Sequence, residues 1–406
     1  MEFKRWRGFC LTALDGARFP ADAEPVSAPF APPVLLTARD PYRSRGWFAV
    51  SSVREAAEAE DCACLLPSAP SADSVLDRFL NEHGGTVLNT AFLRALPFLE
   101  APKPRTHLRA ALVGLGDVGG TLLLALKLLG REFDELRIYD PNEALCRRYE
   151  QELNQVLPPD DAPLPRVTIC PKEALFDCDV FLFTASRGVP PVGAEQGDVR
   201  LLQFEKNREM LKEYAKMART SGFTGLFCQI SDPVDQLSRV VFLESNRDEN
   251  GRFDAGGLLP EQIQGFGLGV MAARAAYYAE KERLPVERLR VYGPHGADLV
   301  VANDPTHYDA AVSERLTRLT AEANLQVRAL GFKPYIAPAL SSAAVSILRL
   351  VRGQPHLGAI PLGGAYFGCR SRMTAQGVSV CREALDPLLL ARLETVRRKL
   401  EAFDYA

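Results

Sequence analysis

The chain has 406 residues, enough for two or three domains that each bury a core of their own. Its 47% hydrophobic and 24% charged residues are ordinary for a soluble globular protein, and a net charge of −3 is spread over intermixed Lys, Arg, Asp and Glu. Without a basic field to hold a nucleic acid or an anionic membrane, neither is expected as a partner.

The N-terminal stretch "MEFKRWRGFCLTALDGARF" begins with basic residues, but Asp15 and Arg18 interrupt its apolar run, so no export signal is expected. Residues 1–104 are rich in Pro, Ala and Ser, with short apolar pieces such as "GWFAV" and "CACLLP" and a predicted helix in "SADSVLDRFLNEHGG". They are read as a small N-terminal domain whose role the sequence does not disclose. "LEAPKPRTH", residues 99–107, carries two prolines and is expected to be a linker. The nine cysteines follow no regular framework, and Cys62 and Cys64 have no second pair at ligand spacing. Reduced thiols, a cytoplasmic setting and no metal are therefore expected.

From residue 108 strand and helix alternate. "LRAALVG" reads as a strand, "DVGGTLLLALKLLG" as a helix, "ELRIYD" as a strand, "NEALCRRYEQELNQV" as an amphipathic helix, and "RVTIC" and "CDVFLFTAS" as strands. A helix "LLQFEKNREMLKEYAKMAR" and a strand "GLFCQIS" follow. The run Thr121–Gly130 contains Lys127 and is too short to cross a bilayer. The predicted class is α/β: a Rossmann-type doubly wound parallel sheet over residues 105–262, then an α+β C-terminal substrate domain over residues 263–406.

The first strand-to-helix turn, "VGLGDVG", spells G-x-G-x-x-G with Gly114, Gly116 and Gly119. The first glycine permits the tight turn, the second lets a pyrophosphate approach the backbone, and the third lets helix and strand pack closely. Asp140 ends the second strand, 26 residues after Gly114, where an acid can accept from ribose hydroxyls and repel the extra phosphate of NADP. NAD is the expected cofactor. A strand-ending acid in a turn before Pro141 is the plainer alternative for Asp140 alone.

Beyond residue 184 the order "TAS" (184–186), "RLLQFEKN" (200–207), "ISDPVD" (230–235), "LLPEQIQGFGLGVMAAR" (258–274) and "GPHG" (293–296) resembles the L-lactate/malate dehydrogenase family. That family carries T-A-G, R-x-x-L-x-x-x-N, T-N-P-V, G-x-G-x-x-L-D-x-x-R and G-x-H-G in the same order. The likeness covers about residues 108–400 and implies reversible oxidation of a small (S)-2-hydroxy acid to its 2-oxo acid by a homodimer or homotetramer. It places Thr184 and Ala185 against the cofactor and Arg200 on a lid, as the cation that polarises the substrate carbonyl. Arg274 becomes the planar grip on the substrate carboxylate. His295 becomes the acid/base, a task suited to a side chain that titrates near neutral pH. For each of these the alternatives are structural: a solvated arginine opening a helix, a buried arginine with an internal acidic partner, a histidine in a turn.

Three departures from the family pattern stand out. Met271 occupies the position of the acid that holds the histidine ring, one helical turn before Arg274. Asp232 replaces the asparagine of T-N-P-V, so an acceptor stands where an amide would donate. The loop between Ser186 and Arg200 is longer than the family's, with Gly188, Gly193 and Gly197 in it, and its second arginine has no match in register, Arg187 included. That absence argues against a dicarboxylate substrate. The expected compensation is that Asp232 takes over from the acid missing at 271 and pairs with one nitrogen of His295. The alternative from another class is an NAD-binding regulatory or scaffold protein that has kept the fold and lost catalysis.

Overall fold

The computed structural model describes residues 2–68, 74–101, 107–158, 163–187 and 199–405, with only the backbone described for 199–202. The first region contains β1 (Phe3–Trp6), β2 (Phe9–Ala13), β3 (Glu24–Val26), β4 (Val34–Thr37), β5 (Trp47–Val50), α1 (Val53–Ala57), α2 (Val75–His83), β6 (Gly85–Asn89) and α3 (Ala95–Glu100). Helix α2 is the one expected from "SADSVLDRFLNEHGG"; Ser74 caps it by accepting from the Asp77 N–H at 3.0 Å. The supposed linker opens as the last turn of α3, and residues 102–106 lie outside the described residues.

The second region follows the predicted alternation: β7 (Leu108–Val113), α4 (Asp117–Leu129), β8 (Phe133–Tyr139), α5 (Glu143–Asn154), β9 (Arg166–Ile169), β10 (Val180–Phe183), α6 (Val199–Thr220), β11 (Leu226–Gln229), α7 (Val234–Ser245) and β12 (Ile263–Gly265). Its strands stand in the order β9-β8-β7-β10-β11-β12, every neighbouring pair parallel. Counted along the chain this is 3-2-1-4-5-6, the doubly wound order. Continuous apolar runs such as Val180–Phe183, buried at all four positions, are what a sheet covered on both faces requires. Order reverses between β7 and β10, and the crevice at their carboxyl ends is where such a sheet receives a ligand.

The third region adds α8 (Leu268–Lys281), β13 (Arg290–Tyr292), β14 (Val300–Ala302), α9 (Ala310–Ala329), a π-helical turn Pro338–Ala344, α10 (Val345–Val351), β15 (His356–Leu362), β16 (Ala365–Thr374), β17 (Gly377–Val380) and α11 (Pro387–Glu401). The antiparallel strands β15, β16 and β17 extend the sheet from β12. Strand β17 then pairs in parallel with β5, so among the described residues a sheet of fifteen strands runs through all three regions.

Glu261 fastens the first region to the second. Its carboxylate is fully buried and accepts from the Gly46 N–H at 3.0 Å and the Trp47 N–H at 2.8 Å. Burial pushes its pKa up to about 8, against the pull of those backbone donors. An acid in this place is therefore part of a joint, held by the backbone of β5 and its approach.

Candidate active site

A cleft of about 1270 Å³ opens at the carboxyl ends of β7 and β10 and reaches across to α8 and the end of α9. Gly114, Gly116, Asp140, Thr184, Ala185, Asp232, Arg274 and His295 all line it. Residues drawn from six separate stretches of sequence thus meet on one surface.

The glycine turn meets the requirements of a dinucleotide in its own geometry. Gly114 has φ +93°, and a Cβ there would lie 2.6 Å from the Ala185 backbone. A Cβ at Gly119 would come within 1.8 Å of the Gly114 carbonyl oxygen, so this glycine is what lets helix α4 start against the strand. At Gly116 nothing stands within 4 Å, which leaves the approach to the backbone open. Gly116 also caps α4 without a side-chain acceptor, so the first N–H groups of the helix keep their capacity for an anion. These residues fit the pyrophosphate of NAD.

Around the turn the hydrogen bonds are spent in different ways. The Thr184 hydroxyl donates to the Gly114 carbonyl at 2.7 Å, so Thr184 steadies the turn, while Ala185 packs directly on it. Asp140 accepts from the Leu115 N–H at 2.8 Å through one oxygen and from the Asn142 N–H at 2.9 Å through the other. A carboxylate has about four acceptor sites, so capacity for two ribose hydroxyls remains.

His295 sits in the turn between β13 and β14, flanked by Gly293 at φ +83° and Gly296 at φ +137°. Its side chain is 13% exposed and its backbone N–H donates to the Asp235 carboxylate at 2.8 Å. Gly267, at the start of α8, makes room for it: a Cβ there would lie 2.5 Å from that of His295. Asp232, at the end of β11, brings Oδ1 to 3.0 Å from His295 Nδ1. The distance is that of an ion pair, and among the described residues Nδ1 makes no hydrogen bond.

Arg274 and Met271 share one face of α8, as their spacing predicts, with Nη1 3.9 Å from Sδ. Among the described residues Arg274 has no carboxylate within ion-pairing distance. Burial lowers its pKa, and the charge of Asp232 works against that shift. A half-buried guanidinium with no ion pair among the described residues is a group that an incoming carboxylate would satisfy.

Arg200 lies in the first turn of α6, and its side chain is outside what is described, as is the glycine-bearing loop 188–198. Asn207, seven residues on, is fully buried and ties the site together. Its amide donates to the Asp232 carbonyl at 2.7 Å and accepts from the Arg187 N–H at 2.7 Å.

Asp235 was not singled out by sequence. It is fully buried, and burial raises its pKa to about 7 while the His295 N–H pulls it down. The available signal was an acid closing "SDPVD" in the first turn of the apolar helix α7. Arg187 and Arg328 also line the cleft. Arg187 belongs to the loop already weighed as out of register, whereas Arg328 comes from the end of α9, a cation that loop spacing alone does not reveal.

No family model matches the chain. It is similar to L-lactate dehydrogenase 1 of Bacillus cereus, 31% identical over 169 residues that make up 42% of this chain and 48% of that protein. It is also similar to L-lactate dehydrogenase of Staphylococcus saprophyticus, 28% identical over 191 residues, 46% and 54% of the two chains. The chain thus spans about half the length of the curated relatives it matches. Among solved structures, the minor L-lactate dehydrogenase of Enterococcus mundtii aligns with a TM-score of 0.60 at 19% identity, covering 73% of this chain and 98% of that one. The malate dehydrogenase of Picrophilus torridus aligns with a TM-score of 0.56 at 17% identity, covering 72% and 96%. At these identities the structural likeness establishes the fold. With the curated matches and the ordered motifs, the chain is similar to L-lactate dehydrogenases over about half of their length and shares the fold of the lactate and malate dehydrogenases.

Proposed function

We propose that the protein is an NAD-dependent oxidoreductase that interconverts a small (S)-2-hydroxy acid and its 2-oxo acid. The observation that carries this reading is Arg274, with no ion-paired acid among the described residues, in the same cleft as His295, Asp232 and the glycine turn. When bound, NADH supplies the hydride that reduces the carbonyl carbon. Arg274 holds the substrate carboxylate through two parallel hydrogen bonds. With Nδ1 turned to Asp232, His295 presents Nε2 to the carbonyl oxygen, gives it a proton in reduction and takes it back in oxidation. Asp232 offsets the charge on the imidazolium, the task the family gives to an acid where this chain has Met271. Arg200, at the lid end of α6, is the cation assigned to the developing oxyanion. A homodimer or homotetramer and a cytoplasmic setting belong to the same reading through the family likeness.

A panel of 2-oxo acids, monocarboxylic and dicarboxylic, incubated with NADH and with NADPH tests it. At least one acid should be reduced, with NADH preferred because Asp140 repels the 2′-phosphate. NADH binding without turnover on any member would favour a protein that keeps the fold and has lost catalysis, the reading that Met271 supports. Absence of NADH binding would overturn both.

A further inference from the structure

We propose that Lys333 and Asp117 form a charge latch at the phosphate-binding turn, in which Lys333 pairs with Asp117 in the free protein and with the cofactor's pyrophosphate in the complex. The proposal rests on the glycine turn binding NAD, and goes beyond it by assigning two residues that no motif identifies.

Asp117 is the first residue of α4, directly after the open Gly116. In the free protein an acid there is favourable, because the helix N-terminus carries partial positive charge. For a dinucleotide the same acid is a liability. The N–H groups that would receive a pyrophosphate lie beside a carboxylate of the same sign, and like charges at one site oppose each other.

Lys333 removes that liability. It lies in the segment after α9, 216 residues away in sequence, yet its Nζ is 3.0 Å from Asp117 Oδ2, and both residues line the cleft. The pair is exposed, 69% and 45%, so it is weak and easily exchanged. An ammonium on a flexible four-carbon stem can swing from carboxylate to phosphate without backbone movement. Bound there, it would contact the phosphate and still screen Asp117. The segment from Ala329 to Pro338 would then sense whether the turn is occupied.

The test is calorimetric titration, which needs no turnover. Lys333→Ala should weaken NADH about tenfold, the worth of one lost charge-assisted contact. Asp117→Asn should tighten it by a similar factor, and the double variant should return near the unmutated value. Adenosine, which lacks phosphate, should bind all four proteins alike. Gly116→Val is the control for the site: it should abolish NADH binding whatever happens at 333. If Gly116→Val abolishes binding while Lys333→Ala leaves NADH affinity unchanged, the latch is refuted and the site stands. If Gly116→Val leaves NADH affinity intact, or the unmutated protein binds none, the site assignment fails and the latch with it. Equal weakening of adenosine and NADH by Lys333→Ala would also refute the latch, since it would show general disruption of the fold.

Discussion

Replacing Arg274 by Met should move function and stability in opposite directions. In the free protein the guanidinium is half-buried and, among the described residues, has no carboxylate in ion-pairing reach and a Met271 Sδ contact at 3.9 Å. Its polar cost is therefore uncompensated until substrate arrives. Two charge-assisted hydrogen bonds to a substrate carboxylate at about 1.5–3 kcal/mol each give about 3–6 kcal/mol. At about 1.4 kcal/mol per decade this predicts a fall in kcat/KM of roughly 10²–10⁴. Methionine keeps the length of the stem and removes the charge, so urea unfolding should show a gain of about 0.5–2 kcal/mol. NADH affinity, measured separately, should hold, because the glycine turn lies on the other wall of the cleft. An unchanged kcat/KM, or a protein less stable than the parent, would refute the reasoning.

Asp232→Asn should lower kcat about a hundredfold, the scale of a positioned acid/base partner, and adding Met271→Asp should recover part of it. Steady-state kinetics decides this, and full activity in the single variant would end the idea that Asp232 serves His295. Glu261 gives a prediction about pH. Its pKa rises on folding from 4.5 to about 8. Between those values the folded protein holds a proton that the unfolded chain gives up, so this group's contribution to stability declines as pH rises. Glu261→Gln should flatten that decline in denaturation midpoints taken between about pH 5 and about pH 8, and an unaltered slope would count against it.

Much of the second region was legible because its signals are local. Apolar runs of four to seven residues, a glycine triplet and the helical period are each contained in a single stretch, and β7 to β11 fall where they were expected. The ordered motifs carried Arg274, Asp232 and His295 to one cleft for the same reason. The first hundred residues were not legible as a sheet. Strands of three to five residues among prolines have too few positions for an alternation to show, and their partners are distant, as Val378 is from Phe48. What stayed hidden in the site is what depends on distance along the chain. Nothing in "GLGDVG" announces that Lys333 will face Asp117, or that the acid closing "SDPVD" will hold the backbone of His295.

The pairing of β5 with β17 decides where the sheet is open. An unpaired strand edge is a template for another chain. Without the first region, the three-stranded antiparallel extension would end on a bare Gly377–Val380 edge. With it, the sheet ends instead on β3, three residues long with Pro25 at its centre and Glu24 exposed, and on the four-residue β9. Short strands and a proline that cannot donate make poor templates. The first hundred residues thus cover the β17 edge, and a chain shortened to begin at β7 would be expected to associate edge to edge as soon as it folded.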